Sequence, residues 1–243
     1  QIQALLDIDA DLENVRAAWR TLVAEGDPQE ALRMIRGLWF IYEIRGWHVA
    51  GAKLFQEAAQ AARTRPVRHG MARDACQVLA AMCTSTQGWF TSLLGAVGDA
   101  LALGDQATAV LRALDTPDNF AFANGQLCLG LYFTAQLARM KEVGFEALDA
   151  SDDPWNVMWA HSWIAFAAQM EGDSVEAEKH RLRSEEILGS TSDSWMSYWI
   201  YLLRYLAAWE QGDVSWCRQI LEEVLVNLKI IDWRRGVQYS LQL

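Results

Sequence analysis

Apolar residues along this chain recur at helical spacing, in long runs separated by short breaks rich in Gly, Pro, Asp and Ser. The pattern predicts helices only. A leading helix spans 9–25. Hairpins follow over 29–45/48–64, 68–87/90–113, 118–129/131–150, 155–171/174–188 and 194–211/214–230, with the start of another repeat over 233–243. Asp27-Pro28 and Asp153-Pro154 pair an N-capping acid with proline at the first helical position. Asp173 and Asp213 stand where caps would open the second helices of two hairpins.

The pattern also repeats. Asp153 to Asp173 matches Asp193 to Asp213 without a gap, with seven of 21 positions identical, among them Trp155/Trp195, Trp159/Trp199 and Gly172/Gly212. Self-similarity at such a period marks a helical-repeat array. Counted backwards, Gly130, Gly88 and Gly46 continue the series, and each is expected to turn the chain between two helices. The other connections are marked by Pro66, Thr116-Pro117-Asp118, Asp153-Pro154, Ser192-Asp193 and Asp232.

The first hairpin carries Ile35-x2-Leu38-Trp39-x2-Tyr42 before Gly46, then Gly51-x3-Phe55-x2-Ala58 and Pro66. This resembles the tetratricopeptide (TPR) pattern, with Trp39 in place of a small residue and Gly51 in place of Ala. The expected fold is therefore all-α: a TPR-like α-α superhelix (solenoid) of about five hairpins plus a leading helix. Residues 1–243 read as one repeat domain cut from a larger protein. In the third hairpin Arg139 and Glu142 fall at positions the register makes apolar, so its helices are shifted or the repeat is irregular.

Composition narrows the function classes. Apolar residues make up 52% of the 243, including 12 Trp, which excludes a disordered chain. The net charge of −10 is concentrated in 75–200, with 6 basic and 16 acidic side chains. That belt repels phosphate backbones and argues against direct nucleic-acid binding. Residues 75–98 carry no charge, yet Thr84, Ser85, Thr86, Gln87 and Gly88 would sit mid-bilayer, so two helices meeting at Gly88 replace a membrane span. Cys76, Cys83, Cys128 and Cys217 lack metal-type spacing and read as small buried residues of a reduced, cytoplasmic protein.

Glu13-Asn14-x-Arg16-Ala17-Ala18-Trp19, Gly26-Asp27, Ala31-Leu32, Leu38-Trp39 and Arg45-Gly46 carry a second resemblance. Over about residues 5–62 the chain resembles the start of the repeat region in bacterial STAND-class signalling ATPases, including LuxR-type and SARP-type transcription regulators. The resemblance implies a sensor or interaction arm that biases a parent protein between off and on states. The ATPase is not implied for this segment, since no Gly-x4-Gly-Lys-Ser/Thr loop occurs.

Catalytic chemistry finds no motif. His48, His69, His161 and His180 form no His-Glu-x-x-His or similar set. Glu176 and His180 share a helix face, and His161 is flanked by Trp159 and Trp163 as a packed residue. The chain reads as non-enzymatic, with no cofactor and no metal. Arg63, Arg65, Arg68 and Arg73 form the one basic cluster, suited to a helix C-terminus near Pro66 or to contact with another domain. The tetratricopeptide register sends Phe40, Met82, Asn124, Trp159, Phe166, Trp199, Leu206 and Trp209 toward a concave groove. Partners that fit are a protein or peptide, other domains of the parent chain, or an apolar small ligand. Trp155 and Trp195 read as packing between repeats, while Trp159 and Trp199 fit either core or groove. The alternative is a structural scaffold for self-assembly or domain packing, without a ligand.

Overall fold

A computed structural model describes residues 11–66, 73–189, 194–230 and 232–241. The sequence features at Arg68, His69, Ser192, Asp193 and Ile231 lie outside these residues. Among the described residues the chain forms twelve helices and no strand. In chain order they are α1 (Leu12–Glu25), α2 (Pro28–Ile44), α3 (His48–Thr64), α4 (Arg73–Leu93), α5 (Val97–Ala113) and α6 (Pro117–Phe133). Then come α7 (Leu137–Ala150), α8 (Pro154–Glu171), α9 (Ser174–Gly189), α10 (Ser194–Glu210), α11 (Val214–Ile230) and α12 (Arg234–Ser240). The fold is an all-α stack of helical hairpins. The chain divides into two compact units, residues 1–130 and 131–243.

Local signals place many helix ends. Asp27 accepts a hydrogen bond from the Gln29 amide and Asp153 from the Asn156 amide, each followed by proline in the first turn. Asp173 and Asp213 likewise accept from the Glu176 and Trp216 amides. Gly46, Gly172 and Gly212 adopt positive φ at their turns, as the repeat predicts.

Gly88 and Gly130 do not turn the chain. Each lies inside a continuous helix, α4 or α6. A Cβ on Gly88 would stand 3.2 Å from the Ala100 carbonyl, and one on Gly130 would stand 3.0 Å from Leu101 Cδ2. These glycines let α5 approach closely. The turns fall instead at Gly95 and around Ala135, both at positive φ. The second hairpin is thus 73–93/97–113, and in the third the break between the helices moves from Gly130 to residues 134–136. The shift puts Met140, Val143, Gly144 and Ala147 on the buried side of α7 and frees Arg139 and Glu142 from apolar positions.

In the first unit successive helices from α1 to α5 pack on one another, and alternate helices also meet, α1 on α3 and α2 on α4. Fully buried Trp39 sets its ring edge-on to Trp89 (5.4 Å between centroids) and to Phe122 (5.7 Å). Its bulk at a usually small position is matched by loss of bulk elsewhere. A Cβ on Gly51 would meet the Phe90 ring at 2.9 Å, so the glycine makes room for Phe90. Polar groups fix the register of this core. Buried Glu43 accepts from Trp89 Nε1 at 2.9 Å, and Ser85 donates to Gln126 Oε1 at 2.7 Å. The leading helix is held by Trp19, edge-on to Phe55, and by Arg65. The Arg65 Nη1 donates to the Val23 carbonyl at 3.0 Å and Nη2 to the Gly26 carbonyl at 2.6 Å. The basic cluster serves two helix C-termini: Arg63 lies in the last turn of α3, beside Pro66, and Arg65 reaches the end of α1.

In the second unit α8 lies among α7, α9 and α10, and α10 continues onto α11. Twelve of the 18 residues of α8 are buried, which is why its pattern is apolar all round. At its edges, Lys141 of α7 bridges Glu171 (2.7 Å) and Glu176 (3.0 Å) across the α8–α9 turn. Glu185 of α9 binds Arg181 on its own helix and Arg204 of α10, the latter at 2.7 Å.

Candidate functional site

The first helices of two hairpins, α8 and α10, place tryptophans on successive turns, because Trp155, Trp159 and Trp163 follow an i, i+4, i+8 spacing and Trp195 and Trp199 repeat its first two positions. These rings join into one continuous array. Trp159 contacts Trp155 (4.6 Å), Trp163 (6.4 Å) and Trp195 (6.2 Å). Trp199 contacts Trp163 (5.6 Å), Phe166 (5.9 Å) and Trp195 (5.8 Å). Tyr132 closes one end on Trp163 and Phe166, and Trp233 closes the other on Trp195 and Tyr198. Most pairs are edge-on or tilted, the arrangement ring quadrupoles favour. The indole N–H groups of Trp163, Trp199 and Trp233 are buried with no hydrogen-bond partner among the described residues. Burial also raises the Tyr132 hydroxyl pKa.

This geometry sorts the residues assigned to the groove. Asn124, Trp159 and Phe166 are each 1% exposed and belong to the core. For these three the groove assignment is reversed. The register identified the first helices correctly, but within each unit first helices cover one another, α2 with α4 and α8 with α10, so the facing sides of these pairs close instead of lining an open channel. Met82 is buried too, at the floor of a cavity of about 310 Å³ bounded by Leu32, Arg36, Asn119 and Phe122. Phe40 is half-buried on α2. On α10, Trp199 and Leu206 are half-buried and Trp209 is 64% exposed, its ring stacked at 6.4 Å on that of buried Tyr205. Trp199, Leu206 and Trp209 follow i, i+7, i+10 spacing and share one face of α10. Trp195 is fully buried, as inter-repeat packing requires, and Trp155 is half-buried.

One polar pair was not foreseen. His161 of α8 and His180 of α9 meet Nδ1 to Nδ1 at 2.8 Å. His180 Nε2 is buried without a partner, so the economical tautomer keeps that nitrogen bare and lets His180 Nδ1–H donate to His161. Burial lowers the pKa of His161 to about 4, helped by His180, Arg183 and Lys179. Burial and Lys179 lower that of His180, against an opposing pull from Glu176. The clue was available, because the two residues lie at similar distances on either side of Gly172 in an antiparallel hairpin. Below this pair, Ser162 and Ser184 hydroxyls meet at 3.1 Å, and Ser184 donates to the Met158 carbonyl.

Among the described residues no group of three or more His, Cys, Asp or Glu converges as metal ligands. All four cysteines are buried, and burial pushes the Cys83 thiol pKa well up, away from nucleophilic use. No helix of the described residues is long and apolar enough to cross a membrane. No family model, curated protein or solved structure matches the chain.

Proposed function

We propose that the chain is a non-catalytic binding arm of TPR-like hairpins, of the kind found in bacterial signalling and transcription regulators. Its partner is a protein or peptide segment that biases the parent protein between off and on states. The observation that supports this reading is the outer stripe of α10. Trp209 keeps 64% of its surface in solvent while stacked on a buried ring, a pre-positioned aromatic of the type that anchors interfaces. The test is a peptide-display selection against the chain, followed by titration of enriched peptides. Peptides with apolar anchors should bind, and the double variant Leu206→Ala, Trp209→Ala should lose that binding while keeping its helix content. Undiminished binding by the double variant would sink the assignment.

A second reading has one observation in its favour. Burial of Trp159 and Phe166 means that the repeat fills much of its own interior, as a scaffold for packing or self-assembly would. Light scattering across a wide concentration range separates the two. Self-association abolished by the α10 double variant favours the scaffold.

A further inference from the structure

We propose that the arginine-lined cavity between the end of α3 and the start of α4 binds a small soluble phosphate ester. The cavity measures about 600 Å³ and is bounded by Arg63, Arg65 and Pro66 on one side and by Arg73, Cys76 and Gln77 on the other. None of its described lining residues carries a carboxylate; Asp74 stands next to Arg73 but is exposed and is not part of the wall. Three arginines therefore line one recess without an acid among its described lining residues. Guanidinium offers five N–H donors in a planar fork that matches phosphate oxygens.

Two of the three are already oriented by the fold. Arg65 is 8% exposed, with its Nη atoms spent on the carbonyl oxygens that end α1. Its Nε is a buried donor without a partner among the described residues, which is costly in a finished core. Arg63 donates one N–H to Thr84 Oγ1 at 2.6 Å, which fixes the fork and leaves its other donors for use. Arg73 is exposed at the first turn of a 21-residue helix whose N-terminal dipole adds positive potential. The volume lies within the roughly 300–1,000 Å³ usual for small-molecule sites. It exceeds the need of bare phosphate, and Ala62, Pro66 and Ala80 give an organic group apolar wall to lie on. The acidic excess of the chain does not oppose this. Charges are screened beyond about 8–10 Å, so a small anion experiences the local arginines, whereas a long polyanion would also meet the acidic belt.

Titration calorimetry with inorganic phosphate, pyrophosphate and adenosine 5′-monophosphate, at physiological ionic strength, tests the site. Adenosine 5′-monophosphate should saturate one site per chain and bind tighter than inorganic phosphate, with amide shifts at Cys76 and Gln77. Arg73→Gln, at an exposed position, should keep the melting temperature and weaken binding about tenfold or more, the loss expected for a charge-assisted hydrogen bond. Arg63→Gln should weaken it similarly. Absence of saturable binding by all three anions would overturn the proposal, as would unchanged affinity in Arg73→Gln.

Discussion

The two units solve the same packing problem with different chemistry. In residues 1–130 the aromatic core is tied to polar partners: Glu43 takes the Trp89 indole, Gln126 takes Ser85, and Arg65 closes the end of α1. In residues 131–243 rings meet rings, and the buried indole donors of Trp163 and Trp233 have no hydrogen-bond partner among the described residues. Polar contacts there are the Lys141 and Glu185 ion pairs at the edges and short pairs between helices, His161–His180 and Ser162–Ser184, none of which reaches an indole. The first unit is specified by direction, since a hydrogen bond is satisfied in one register only. The second is specified by volume, which large flat rings fill with little regard to polarity.

That contrast can be broken by substitution. The largest effect should come from Trp163→Ala, which removes a ring in contact with Tyr132, Trp159, Phe166 and Trp199. Urea unfolding should show a loss of about 3–5 kcal/mol in the second unit, whereas Trp163→Phe, which keeps most of the volume and removes the unbonded N–H, should cost far less. Equal losses for the two would mean that polarity matters there after all. Glu43→Ala should cost the first unit about 1–3 kcal/mol through the abandoned Trp89 donor, and Glu43→Gln, which still offers an acceptor oxygen, should recover most of it. If Glu43→Gln is as damaging as Glu43→Ala, the first core is not specified by that hydrogen bond.

The smallest effect concerns pH. The folded pKa of His161 lies near 4, below the ordinary 6.5, so the unfolded chain holds more protons between these values. Stability should therefore fall as pH drops through 6.5 and level off below about 4. Denaturant melts at a series of pH values should show this slope in the native chain and a reduced slope in His161→Gln. Parallel slopes would show that the histidine contact contributes nothing to acid sensitivity.

What the sequence disclosed follows the range of the interaction. Caps at Asp27, Asp153, Asp173 and Asp213 were legible because donor and acceptor lie within three residues of each other. Gly88 and Gly130 were misread because periodicity cannot distinguish a glycine that turns the chain from one that admits a neighbouring helix. On α8 the groove side could not be assigned, since a helix apolar all round has no face to read. The exposed end of the candidate stripe, Trp209, was reached only because it stands near the end of α10, beyond the buried turns. Pairs such as Arg65 with α1 join positions 39 or more residues apart, and composition alone holds no record of them.

The Arg65 contact also orders events in time. During synthesis α1 is complete at least 39 residues before the side chain that satisfies its last carbonyl groups has been added. At roughly 5–20 residues per second that interval is about 2–8 s, far longer than a helix takes to form and fray. The nascent leading helix must wait, partly frayed at one end, until the far side of the first hairpin emerges. The end of α1 is thus made early and locked late.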